Sequence, residues 1–305
     1  MSKKIMAWAV IALAIATIAT SCKPRSAPAE VKLALIAPFE GEGRPLGYQT
    51  LCGVKLAIKE HGYRITDKGP SISLIALNDD NIPEKAQEQL RAAEADKAVL
   101  AVLGPWRRGT ANAVVSASPK VAVLIPAPVD SLTDHTHRFF ADDASLREAI
   151  SSATGGKCAD VLSSEASYLN TIPRCDDSHM LVVDGDSPNI VREACRRMKS
   201  GENFLIAGPD FARPWILPLL PSGASVRWVT SWEAPPKGFS EEYRSLCNSN
   251  PSHASFASYE SANLALRAFE RAYENHRLDR AGVDEEISKL MTEMRFPVTA
   301  YNLER

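Results

Sequence analysis

Apolar residues in this chain fall into short unbroken runs, each closed by proline, glycine or a cluster of Asn and Asp. Val31–Ala37, Ile72–Leu77, Ala98–Leu103 and Val121–Ile125 are such runs. They end at Pro38, at Asn78-Asp79-Asp80-Asn81, at Gly104-Pro105 and at Pro126. Between them the apolar positions take a helical period. Tyr48–His61 is one such stretch, stopped by Gly62; a second opens on Pro83-Glu84 and runs to about Asp96; Gly109–Ser116 is a third. Proline in a first turn and glycine after the last turn are the expected helix punctuation. Strands apolar on both faces, alternating with amphipathic helices, predict a parallel sheet covered on both sides. Ligands on such sheets bind beyond the carboxyl ends of the strands. Those loops are Pro38–Gly47, Asn78–Pro83, Gly104–Gly109 and Pro126–Asp134.

The same pattern resumes later. Met180–Val183, Phe204–Ala207 and Val226–Thr230 read as strands, and Ile190–Lys199 and Ser240–Cys247 as helices. Ser258–Tyr273 is a long helix whose Leu264, Ala268, Phe269 and Ala272 share one face. Residues 141–178, with Gly155-Gly156 and two cysteines, are less regular and show little periodicity.

Composition narrows the function. Hydrophobic content of 45%, charged content of 24% and a formal net charge of −2 suit a globular protein and give no basic excess for nucleic acid. The amino terminus departs from that average. Met1-Ser-Lys3-Lys4 is basic, Ile5–Thr20 is almost wholly apolar, and Ala19-Thr20-Ser21-Cys22 follows. A basic start, an apolar core and small residues describe a secretory signal. The run falls short of the roughly 20 residues of a spanning helix. Small residues before a cysteine resemble the lipobox of bacterial lipoproteins, which implies cleavage before Cys22 and a lipid on its sulfur; the alternative is an uncleaved anchor. Residues 23–30 are a polar, proline-containing tether. An exported chain can oxidise Cys52, Cys158, Cys175, Cys195 and Cys247, and an odd number leaves at least one unpaired. Cys158 and Cys175, which bracket the irregular stretch, are the favoured pair.

Taken in series, Val31–Pro38, Gly47–Gly53 leading into Val54–Lys59, Asn78-Asp79-Asp80 with Pro83-Glu84-Lys85-Ala86, Val102-Leu-Gly104-Pro105, Ile125-Pro126-Ala127, Gly208-Pro209-Asp210 and the helix at Tyr259 resemble the type I periplasmic solute-binding proteins, the group of the leucine/isoleucine/valine receptors of ABC transporters. The resemblance implies an α/β fold of two Rossmann-like βα lobes, with parallel sheets joined by a three-strand hinge and a ligand held in the cleft between them. It divides the chain into a signal peptide (1–21), a lipidated tether (22–30), lobe 1 (31–137), lobe 2 (138–253), a return to lobe 1 (254–295) and a hinge and C-terminal segment (296–305). Crossovers fall near Thr136–Phe139, Ser252–Ser255 and Arg295–Thr299. Residues 141–178 depart from the pattern, so the second lobe is expected to be reduced by one element.

In the amino-acid receptors of this group the Gly-Pro loop and the loop after the fourth strand grip the ligand carboxylate with hydroxyls and backbone N–H groups. Here the first loop reads Trp106-Arg107-Arg108-Gly109-Thr110 and the second Ala127-Pro128-Val129-Asp130. Pro128 has no N–H to donate and Val129 no hydroxyl. Arg107 or Arg108 can clamp an anion with a planar fork and Trp106 can stack on a ring or cation; alternatively both arginines face solvent and Trp106 packs at the hinge. Asp210 occupies the position of the acid that pairs with a ligand ammonium. Asp186 is either a cleft residue or a helix cap beside Ser187-Pro188. His135 and His137 alternate in a way that suits a metal or, more simply, a polar hinge loop. No nucleophile elbow or dinucleotide glycine spacing occurs. The expected function is therefore non-enzymatic, without a cofactor: a lipid-anchored, extracytoplasmic binding protein that hands a small zwitterion to an ABC permease. The alternative is a lipoprotein of the same fold that regulates envelope enzymes through protein contacts.

Overall fold

The computed structural model describes residues 30–162, 167–170, 172–175, 180–185, 188–197, 203–209 and 225–303. Cys22, Asp186 and Asp210 lie outside the described residues. The first half builds β1 (Glu30–Ala37), α1 (Arg44–Glu60), β2 (Ser71–Asn78), α2 (Pro83–Ala95), β3 (Val99–Leu103), α3 (Arg108–Ser116), β4 (Ala122–Ile125) and β5 (Thr136–Arg138). The second builds α4 (Asp143–Thr154), β6 (Asp160–Leu162), β7 (Met180–Asp184), α5 (Pro188–Arg197), β8 (Asn203–Ala207), β9 (Ser225–Thr230), α6 (Lys237–Cys247), α7 (His253–Glu274), α8 (Arg280–Glu293) and β10 (Thr299–Leu303).

Two five-stranded sheets result. The first runs β2-β1-β3-β4-β5 and is parallel throughout; the second runs β10-β9-β8-β7-β6. Its strands β6 to β9 are parallel, and β10 closes the edge antiparallel to β9, from Thr299 opposite Thr230 to Leu303 opposite Val226. The chain crosses between sheets three times, after β5, after β9 and before β10. Strands β1, β3 and β4 are apolar on both faces because both faces are covered. Leu33, Leu35, Leu103 and Leu124 pack with α7 and α8, while Ala34, Ile36, Val102 and Val123 pack with α2 and α3. Helix α7 lies tight on α1. A Cβ on Gly53 would come 2.2 Å from Ser255 O and Ser258 Oγ, so only glycine admits this approach.

Three sequence expectations change. Residues 141–178, read as short and irregular, hold the twelve-residue helix α4 and strand β6. Asp142 caps α4 by accepting from Ser145 N at 2.8 Å, and Gly155 ends it with φ 64°. The buried stripe is only Leu146, Ile150 and Thr154, which a run of Ser and Ala conceals. Helix α6 falls within the 138–253 span assigned to lobe 2, yet it packs on α1. A Cys52–Cys247 disulfide ties the two helices, and Phe239 and Tyr243 sit on Leu56. The second crossover thus comes just after β9. The third change concerns the hinge segment, since β10 is a strand of the second sheet. Cys158 and Cys175 are bonded, and Cys195 is a free, buried thiol that burial pushes up to about 11.

His135 and His137 face one acid. Asp284 of α8 lies 2.6 Å from His135 Nδ1 and 2.7 Å from His137 Nε2. The pair joins β5 to α8. Among the described residues no group of three or more His, Cys, Asp or Glu is arranged to hold a metal ion.

Candidate functional site

The carboxyl ends of β1 to β4 and of β7 to β9 approach one another, and the loops beyond them form the cleft walls. β3 ends at Gly104, whose φ of +91° is open to glycine and strained for other residues. A Cβ there would lie 2.2 Å from Ile36 O and 2.9 Å from Trp106 Nε1. The sharp turn lays the Trp106 indole over the strand end, where it is fully buried. Its Nε1 has no hydrogen-bond partner. A buried indole N–H nearly always finds an acceptor, so this donor marks a place for one.

Arg107 is the N-cap of α3 in extended backbone, and its side chain makes no capping hydrogen bond to that helix. Its charge reaches Asp79 at the end of β2. Asp79 is fully buried; Oδ1 accepts from Asn81 N at 2.9 Å and Oδ2 has no partner. Burial raises its carboxyl to about 6, against the opposing pull of the Asn81 N–H and Arg107. Arg108 turns inward rather than to solvent, with 6% exposure. One guanidinium nitrogen donates to Asp130 Oδ1 at 2.7 Å, and the guanidinium carbon sits 5.1 Å from the centre of the Tyr168 ring. Thr110 spends its hydroxyl on Arg107 O, at 3.1 Å. Ala127 and Val129 are buried in the apolar cluster under α2 and α3.

The second lobe supplies the partners. Tyr168 OH lies 3.0 Å from Asp184 Oδ1 and 3.3 Å from Ala207 O. Trp232, just past β9, donates its indole N–H to Pro126 O of the first lobe at 3.1 Å. Its ring packs edge-on against Trp106 at 5.9 Å and against Phe140 at 6.1 Å. Nearer the rim, Arg192 of α5 bonds both oxygens of Glu42, at 2.7 and 2.8 Å. The structure therefore brings Trp106 and Arg108 together with Tyr168 and Trp232, and leaves Thr110, Ala127 and Val129 engaged within the first lobe. Tyr168, Asp184 and Trp232 were not singled out in the sequence. For Trp232 a signal existed, a tryptophan two residues past the end of a strand in a fold whose strand ends line the cleft.

No protein-family profile matches the chain, and no curated protein matches it by sequence. Solved structures do match its fold. The leucine-binding protein LivK of Thermotoga maritima superimposes with a TM-score of 0.69 at 18% identity, over 84% of this chain and 87% of that one. The branched-chain amino acid binding protein LivJ of Streptococcus pneumoniae, in complex with isoleucine, gives 0.68 at 16%, over 85% and 88%. A fatty acid ABC transporter substrate-binding protein of Thermomonospora curvata gives 0.67 at 15%, over 86% and 81%. The fold is that of the type I periplasmic binding proteins. At these identities the likeness establishes the fold and leaves the ligand to the residues of the cleft.

Proposed function

We propose that the protein is an extracytoplasmic solute-binding protein of an ABC transporter, held at the membrane by a lipid on Cys22, and that it is not an enzyme. The observation that carries this reading is the Trp106 N–H, fully buried between the lobes with no acceptor of its own. It lies beside the N-terminus of α3, which the Arg107 side chain does not cap and where the helix dipole favours negative charge. A ligand carboxylate supplies the missing acceptor. The Tyr168 and Trp232 side of the cleft already meets the Trp106 side, and the carboxylate is held between them. Amino acids and related zwitterions are the first class to test, with Asp210 as the partner of an ammonium group. Fatty acids and other plain carboxylates are the second.

Thermal shift of the purified full-length chain against amino acids, polyamines and monocarboxylates tests the reading. A ligand at 100 times its Kd adds about 2.7 kcal/mol to the native state. A rise in Tm that Trp106→Phe reduces is the expected result. No shift with any compound would overturn it.

A second reading draws on a different observation. The lobes are joined by their own side chains: Trp232 to Pro126, Arg108 to Tyr168 and Arg192 to Glu42. A molecule closed by itself suits a lipoprotein that acts on envelope enzymes through its surface. Under that reading the chain is insensitive to the whole panel.

A further inference from the structure

The first sheet ends on β2, and among the described residues no strand lies beyond it. Hydrogen bonds fix which way its backbone groups point. Asp79 N donates inward to Ala37 O, while Ile72 N donates outward to Tyr63 O. Leu74 and Ala76 share the parity of Ile72, so their N–H and C=O groups also point outward. No backbone partner meets them among the described residues. The strand Ser71–Asn78 has neither charge nor proline, the usual devices that keep an open edge from pairing.

The side chains of Ile72, Leu74 and Ala76 form one wall of a groove of about 410 Å³, and Leu51, Lys55, Ile58, Tyr63 and Leu246 form the rest. Tyr63 and Leu246 are 55% and 39% exposed. A hollow of about 350 Å³ continues the groove along α1 past Tyr48. The Cys52–Cys247 disulfide fixes α6 on α1 and so fixes the wall that carries Leu246. Lys55 lines both hollows and is the one charged residue lining either. Among the described residues its ammonium enters no ion pair.

We propose that this groove receives an extended segment of another protein, which pairs with the outer edge of β2 at Leu74 and Ala76, places apolar side chains between Tyr63 and Leu246, and sets a carboxylate against Lys55. Strand addition of this kind draws affinity from the main chain and specificity from alternate side chains. The charge selects the occupant. A second copy pairing β2 with β2 about a two-fold axis keeps the faces of the sheet, and so puts two Lys55 ammonium groups on the same side with no acid between them. An acidic partner complements the one cation in an otherwise apolar trough. The site is remote from the cleft, and the proposal does not depend on what the cleft binds.

A yeast-displayed library of random twelve-residue segments, selected on the full-length protein, tests it. The enriched segments are expected to alternate apolar residues around one Asp or Glu. Their affinity should fall tenfold or more for Lys55→Glu, an exposed position that leaves the fold intact. Exchange of the segment's acid for Lys should restore it, and N-methylation of the central peptide bond should abolish it. No enrichment overturns the proposal, as do segments indifferent to Lys55→Glu or to N-methylation. Sedimentation equilibrium showing a dimer that Leu246→Glu dissociates also overturns it, in favour of a second copy.

Discussion

Trp232→Phe tests whether the two lobes are held by a specific hydrogen bond or by bulk apolar contact. The change deletes the indole N–H that donates to Pro126 O at 3.1 Å. It also removes part of a ring that is 2% exposed and packed against Trp106 and Phe140. Ring truncation in a closed environment costs about 1–2 kcal/mol. The carbonyl left without its donor adds about 1–3 kcal/mol. Trp106→Phe is the control, because it makes the same truncation in an equally buried ring whose N–H has no partner. Only the packing loss applies there, and an unsatisfied donor disappears. The difference between the two variants therefore isolates the hydrogen bond. Urea unfolding is the assay, with Tm as a second readout at about 2–4 °C per kcal/mol for chains of this order. Trp232→Phe is expected to be the less stable of the two by about 1–3 kcal/mol. If Trp106→Phe costs as much as Trp232→Phe, the bond to Pro126 contributes nothing and the reasoning fails.

Further outcomes follow from single groups. Asp79, raised to about 6 by burial, ionises near 3.9 in the unfolded chain, so the protein loses roughly 3 kcal/mol as the pH rises from about 4 to 6. Asp79→Asn keeps the acceptor for Asn81 N and should flatten that slope in a urea series across pH 4 to 8; an unaltered slope rules the assignment out. Asp284 is the opposite case. Burial alone would raise it, but hydrogen bonds from His137 and His135 prevail and hold it below its usual range. Its contribution is present above the unfolded value and lost as the pH falls through the depressed one, so Asp284→Asn should be destabilised at pH 7 and converge with the wild type in strong acid. A gap that stays constant with pH counts against the pairing. Gly104→Ala forces a Cβ to 2.2 Å from Ile36 O at φ +91°, and should cost about 3 kcal/mol or more, read as a loss of soluble yield and Tm. Cys52→Ser with Cys247→Ser removes the tie between α1 and α6 and should cost about 2–5 kcal/mol, read as a drop in Tm under oxidising conditions; an unchanged Tm counts against the tie.

What the sequence discloses and what it hides divide along a physical line. Strands β1, β3 and β4 are readable because each is buried on both faces and so stands as an apolar run closed by a turn residue, as in Val99–Leu103 before Gly104-Pro105. Helix α4 escaped notice because its buried stripe is three residues among serines and alanines, although Asp142 and Gly155 mark both its ends. The placing of α6 depended on a disulfide between positions 195 residues apart, and no local pattern carries that information. The cleft divides in the same way. The altered loops Trp106–Thr110 and Ala127–Asp130 announce themselves by residue type alone. Their meaning depends on groups that arrive from the other lobe: Tyr168 beneath Arg108 and Trp232 against Trp106. Arg108 offered two readings in the sequence, a clamp for an anion or a solvated surface charge, and the structure gives a third, a cation held between an acid of its own lobe and a ring of the other. That placement moves the search for the ligand's anchor away from the more conspicuous charge. It settles on Trp106, whose buried N–H lacks an acceptor.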